Sequence, residues 1–211
     1  MMSKNASAGR CFIFGALDVA VLDQRPSEGD YVIAADRGYA VAQSMGIEPD
    51  LVVGDFDSLG EAPPGQNVVK LNVRKDDTDL EHAVRLALDK GYRELIICGA
   101  AGGALDHTLG NIAVAELIAD AGARAVFYGD DAAFTVIRDA SFALPLRERG
   151  RVSVLSLSNV SHGVTIRGLS YEASGIDLPR AATRGVSNAF IGREAAASVK
   201  NGTLLIVWGT E

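Results

Sequence analysis

Two aspartates separated by one phenylalanine, Asp55 and Asp57 in "LVVGDFDSLG", follow an apolar run that stops at Gly54. Successive side chains of extended backbone point to opposite faces, so these two carboxylates share a face, roughly 6–7 Å apart. That arrangement suits a hard divalent cation, which takes a few carboxylate oxygens and keeps positions for water and phosphate. Without a cation, crowded carboxylates raise one another's pKa values and cost stability. Gly54 permits a tight turn, and Ser58 is the expected cap of the next segment. Other acids stand where apolar runs end: Asp36 after "YVIAA", Asp76, Asp77 and Asp79 in "KDDTD", and Asp106 with His107 after "GAAGGAL". A glycine-rich turn between strand and helix gives backbone N–H groups room to approach phosphate. This one has neither the Lys and spacing of a P-loop nor a clean G-x-G-x-x-G. Any one of these clusters is explained by turns and helix caps, but three of them at strand ends of one sheet point to a metal–phosphate site.

The elements that position these acids are legible as hydrophobic pattern. "RCFIFG", "YVIAAD", "LVVGD", "NVVKLNV", "ELIICGA" and "ARAVFYGD" read as strands. "GYAVAQSMG" reads as a short helix closed by Gly46. "DTDLEHAVRLALDKG" places Leu80, Ala83, Val84, Ala87 and Leu88 at helical spacing, with Asp77 or Thr78 as the cap and Gly91 after its end. "HTLGNIAVAELIADAG" is a further helix, ending at Gly122. Strands alternating with crossover helices predict an α/β fold, a mostly parallel sheet with helices on both faces. In such sheets ligands bind outside the carboxyl ends of the strands, where these acids would converge. The pattern changes after "LPLRERG". "RVSVLSL", "GVTIRGLSY", "AAASV" and "TLLIVW" are short strands of alternating polarity with no good helix, a small antiparallel sandwich or barrel. The boundary falls at about 140–150, dividing residues 1–142 from residues 143–211.

The totals exclude several function classes. The chain has 211 residues and a formal net charge of −7, which disfavours nucleic acid or anionic membrane as partner. The N-terminal "MMSKNASAGR" has no apolar stretch of a signal peptide, and no apolar run approaches the length of a membrane helix. The two cysteines, Cys11 and Cys98, sit in apolar runs and read as buried free thiols of a cytoplasmic protein. There is no Cys/His cluster for zinc, and His82 and His162 read as solvated or edge residues. Trp208 reads as core.

The stretches "ADRG", "GDFDS", "KDDTD", "GGALDHTLGN" and "GVSN" occur in the order seen in thiamine pyrophosphokinases. The resemblance covers almost the whole chain and implies a Rossmann-like nucleotide-binding domain (1–142) followed by a β-sandwich (143–211) that binds thiamine and dimerises. It implies transfer of the pyrophosphoryl group of ATP to the thiamine hydroxyl, giving thiamine diphosphate and AMP, with Mg2+. The implied partners are ATP and thiamine, with thiamine at the interface of a homodimer. By the same resemblance Asp55, Asp57 and Asp79 hold the metal, and with Asp106 form the catalytic group. Asp36, Arg37, Gly38, Lys75, Asp76, Thr78, Gly102, Gly103, Asp106 and His107 line the nucleotide pocket. Tyr171, Ser187 and Asn188 meet thiamine. The family usually has Gly-Gly-Arg where this chain has Gly102, Gly103 and Ala104, so Arg37, Arg74 or Lys75 is expected to supply the missing positive charge.

Two other readings compete. A haloacid dehalogenase-type phosphatase also has an Asp-x-Asp after a strand, but the "KDDTD" cluster and the all-β tail fit it badly. A non-catalytic nucleotide- or thiamine-binding protein on the same scaffold would account for the loss of arginine at Ala104.

Overall fold

The structure is a computed structural model and describes residues 9–19, 22, 24–54, 67–70 and 77–210. The apolar runs become six parallel strands: β1 (Cys11–Phe14), β2 (Tyr31–Ala35), β3 (Leu51–Gly54), β4 (Val68–Lys70), β5 (Glu94–Ala101) and β6 (Arg124–Gly129). They lie in the order β4-β3-β2-β1-β5-β6. The expected strand over 67–73 is described only through Lys70. In β1 both faces are covered: Cys11 and Ile13 belong to one apolar cluster, Phe12 and Phe14 to another. That is why the run shows no polar alternation.

Among the described residues three helices cover the two faces. The first, α1 (Gly38–Ser44), buries Val41 and Ala42 in the cluster of Phe12 and Phe14. On the opposite face α2 (Asp79–Asp89) buries Leu80, Ala83, Val84 and Ala87, the periodic set read from sequence. Of the two candidate caps Thr78 serves: its Oγ1 accepts from Glu81 N at 3.2 Å. Beside α2 lies α3 (Leu105–Asp120), which buries Val114, Ala115 and Ile118 and leaves Leu105 and Leu109 exposed. His82 is partly exposed, with Nδ1 3.6 Å from Asp77 Oδ2.

Beyond β6 the chain reverses. The strand β7 (Ala132–Arg138), not recognised in the sequence, pairs antiparallel with β6. Two strands of the β-rich tail extend the sheet, β9 (Arg151–Ser156) and β14 (Thr203–Gly209), with the two-residue β12 (Asn188–Ala189) at its edge. The result is one ten-stranded sheet, β12-β9-β14-β7-β6-β5-β1-β2-β3-β4, crossing the change in pattern at residue 143. A separate four-stranded antiparallel sheet contains β8 (Ser141–Ala143), β10 (Val160–Arg167), β11 (Ala173–Pro179) and β13 (Ala196–Ser198), in the order β11-β10-β13-β8. Its buried residues Val164, Ile166 and Ala197 share an apolar cluster with Val152, Val154, Leu204 and Ile206 of the large sheet. Trp208 is core as expected, buried and stacked on Phe142 at 5.6 Å. Cys11 and Cys98 are buried free thiols.

One ion pair ties the start of β1 to the start of β2. Arg10 Nη2 lies 2.7 Å from Asp30 Oδ2, and Asp30 also accepts from the Arg10 amide, the Ser27 amide and Ser27 Oγ at 2.9–3.0 Å. Burial pushes the Asp30 carboxyl up, but the hydrogen bonds from Arg10 and Ser27 outweigh it and hold it well below the usual range. A depressed carboxylate stabilises the fold in full above its unfolded value, near pH 4, and loses that contribution as pH falls below it. Asp30→Asn is expected to cost about 2–4 kcal/mol at pH 7 in urea unfolding. The gap to the parent chain should narrow as pH drops from 5 to 2; a constant gap counts against the pairing.

Candidate active site

The strand order places a crevice before any side chain is considered. From β1 the chain steps through β2 and β3 to β4, then crosses back to β5 on the other side of β1. Between β1 and β5 the winding therefore changes direction, the point where open α/β sheets bind ligands at their carboxyl edge. All six parallel strands end on that edge.

Asp36 stands there directly after β2, in the left-handed region at φ 48°. Non-glycine residues hold that conformation where the surroundings enforce it, often at sites. Here its amide donates to Val53 O at 2.7 Å. A Cβ on Gly54 would lie 3.2 Å from the Asp36 Cα, so the chain entering Asp55 starts against Asp36. Arg37, exposed, and Gly38, buried, open α1; a Cβ on Gly38 would overlap the carbonyl of Phe14 at the end of β1. Asp55, Asp57, Arg74, Lys75 and Asp76 lie outside the described residues.

The starts of α2 and α3 complete the edge. Thr78 caps α2 and Asp79 is its first residue. Before α3, Gly102 and Gly103 take φ of 105° and 74°, backbone that L side chains rarely adopt, and nothing lies within 4 Å of where a Gly102 Cβ would be. Ala104 is the N-cap of α3 and offers no side-chain bond. The His107 amide is taken by Asp106 Oδ1 at 2.9 Å. Asp106 and His107 are exposed at this helix start. The cap residue of this sixteen-residue helix makes no side-chain hydrogen bond to the first-turn amides, the helix end where anions are favoured in general. Two residues of the motif had no assigned role. Thr108 Oγ1 donates to Gly102 O at 2.9 Å and Asn111 Nδ2 to Ala100 O at 2.8 Å, fixing the glycine turn to the helix. Their spacing of three, one face of a helix, was the available signal.

The expected thiamine residues lie elsewhere. Tyr171 is 74% exposed, on the loop between β10 and β11. It lines a cavity of about 290 Å³ together with Glu172, Ile176, Arg184 and Asn188. Asn188 is buried and bonded to the Tyr171 backbone. Ser187, at φ 62°, is exposed, and its amide donates to Ser153 Oγ at 3.2 Å. Among the described residues no group gathers three potential metal ligands. Asp36 follows β2, and Asp79 and Asp106 open the helices that start from the same carboxyl edge of the sheet. No helix among the described residues is long and apolar enough to cross a membrane.

Comparison with known proteins shows the family and the fold. A family model described as the thiamin pyrophosphokinase catalytic domain matches residues 22–127, half of the chain. Thiamine pyrophosphokinase of Bacillus subtilis (strain 168) is 27% identical, over 85% of this chain and 87% of that protein. The crystal structure of thiamine pyrophosphokinase from Bacillus subtilis superposes with a TM-score of 0.84 at 25% identity, covering 96% of this chain and 99% of the other. A thiamin pyrophosphokinase from Geobacillus thermodenitrificans gives 0.78 at 22% identity, covering 96% and 97%. One from Candida albicans gives 0.73 at 13% identity, covering 96% and 90%. The last two likenesses are of fold alone.

Proposed function

The chain belongs to the thiamin pyrophosphokinase family, and from that premise we propose how its residues divide the work of the reaction. The activity is thiamine pyrophosphokinase: the pyrophosphoryl group of ATP passes to the thiamine hydroxyl, leaving thiamine diphosphate and AMP. The observation that supports the residue assignments is that Asp36 adjoins Gly54 at the carboxyl edge of the parallel strands, the edge from which α2 and α3 also start, beside the change in winding. The phosphatase and non-catalytic readings are not favoured.

Gly102, Gly103 and the start of α3 receive the phosphates through backbone N–H groups. Asp36, Gly38, Asp76, Thr78 and His107 line the nucleotide; the Thr78 oxygen is engaged by Glu81 N, so its hydroxyl proton is what it offers. Ala104 cannot neutralise phosphate, and Arg37, Arg74 or Lys75 takes that part. Asp55, Asp57 and Asp79 are the residues that would hold Mg2+, whose charge would offset that of the transferring group. Asp106 accepts the proton of the thiamine hydroxyl. Thiamine sits by Tyr171, Ser187 and Asn188, and its own positive charge is drawn to an acidic surface. We read residues 1–142 as a Rossmann-like nucleotide domain and 143–211 as a β-sandwich that dimerises, with thiamine between two copies. Buried free thiols at Cys11 and Cys98 fit a cytoplasmic setting.

Purified protein given ATP, Mg2+ and thiamine is expected to form AMP and thiamine diphosphate in equal amounts, with neither formed when any one is left out. Release of ADP, or no AMP, overturns the reading.

A further inference from the structure

Tyr171 presents a ring to solvent on a loop between strands, where side chains are ordinarily mobile. Its backbone is nevertheless held from several directions. Tyr171 N donates to Asn188 Oδ1 at 2.9 Å, and Asn188 Nδ2 donates back to Tyr171 O at 2.7 Å. This two-point pairing reproduces, with one side chain, what a neighbouring strand would give. On either side Ser170 N donates to Ala189 O at 3.0 Å, Leu169 bridges to Phe190, and Glu172 Oε1 accepts from Gly168 N at 2.8 Å.

The bonding of Asn188 limits what else it can do. Its Oδ1 accepts from Tyr171 N and also from Ala189 N at 2.9 Å, so both lone pairs are engaged. One hydrogen of Nδ2 is spent on Tyr171 O, and the residue is only 6% exposed. An amide so committed cannot turn to a substrate without releasing the loop.

We propose that Asn188 is a positioning residue for the substrate ring: it clamps the backbone of Tyr171 so that the exposed aromatic face stands ready over the adjoining cavity, and its effect on thiamine binding runs through that ring. Holding the platform before binding removes an ordering cost that would otherwise weaken affinity. A flat heteroaromatic ring is the group such a face takes, by offset stacking. The inference rests on thiamine being bound at Tyr171.

The test compares Tyr171→Ala, Asn188→Ala and the double variant. Loss of one stacking partner corresponds to about a tenfold rise in the thiamine KM. Tyr171→Ala and Asn188→Ala should each show it, with kcat and the ATP KM within about twofold of the parent, as one lost stacking contact allows. Because both act through the same ring, the double variant should be no worse than about twice the single Tyr171 variant. Multiplied effects, near a hundredfold, would mean that Asn188 touches substrate on its own account. A normal thiamine KM in Asn188→Ala beside a raised one in Tyr171→Ala would show the clamp to be unneeded. Amide exchange at Tyr171, read without substrate, should quicken in the Asn188 variants; unchanged exchange overturns the clamp whatever the kinetics. If neither single variant moves the thiamine KM while exchange does quicken, the clamp exists but the placing of thiamine at Tyr171 is wrong. Asn188→Asp keeps the acceptor and loses the donor, and serves if the alanine variant does not fold. Should neither fold, the residue supports the sheet rather than recognition and the proposal fails.

Discussion

Asparagine in place of Asp79 is expected to lower kcat by on the order of 10²–10³-fold, the usual loss when one charge-stabilising group is removed from a site. Asp79 is the first residue of α2, directly after its Thr78 cap. A carboxylate in a helix's first turn also adds stability through the backbone dipole, about 0.3–1 kcal/mol. Glu81 stays in the same turn and the Thr78 cap is untouched. Melting should therefore fall by only ~1–4 °C. The two magnitudes separate function from scaffold: a residue that merely started the helix would lose a little stability and no turnover. If Asp79 holds a cation, the variant should also need more Mg2+ to reach half-maximal rate. Full activity, or a variant that does not fold, would remove Asp79 from the site.

Gly38→Ala is expected to damage the fold before it damages binding. Any Cβ at this position overlaps the carbonyl of Phe14, and backbone cannot swing aside as a side chain can. Either α1 lifts from β1 or β1 bends, and both disturb a fully buried strand. Overpacking of this kind costs about 3 kcal/mol or more. That is a large share of the ~5–15 kcal/mol that holds a domain together. The melting temperature should drop by ~6–12 °C. Gly110, within α3, is the internal control, because nothing lies within 4 Å of its Cβ position. Alanine there should raise stability by about 0.5–1 kcal/mol. Equal effects at the two sites would mean that the close approach at Gly38 is not real.

Much of the architecture was readable from local pattern, and the failures have a common cause. The strands β1, β2, β3 and β5 announce themselves because both faces are buried, so each is a continuous apolar run. The helix α2 announces itself because one face only is buried. The acids Asp36, Asp79 and Asp106 were traceable because strand ends converge wherever strands are parallel. What escaped depends on partners far away in the chain. Nothing within "AAFTVIR" says that β7 runs antiparallel to β6 and then receives β14. Likewise the alternating tail gave no sign that β9 and β14 continue the first sheet while β10 and β13 build the second. The hydrogen bonds of Asn188 span seventeen positions to Tyr171, and no spacing rule records them. Gly38 was read as a residue beside the nucleotide; the structure adds that it is where a helix rests on a carbonyl.

Strand β14 fills the slot between β7 and β9, pairing with both along most of its length. Until those residues emerge in synthesis, β7 and β9 face each other across an empty lane, each with an unsatisfied edge. The sheet is thus closed by a strand that follows all of the second sheet in the chain. Long-range closure of this sort is slow and exposes sticky edges meanwhile. Yield of folded protein should accordingly be governed more by how fast residues 203–209 reach their lane than by anything in the acidic edge.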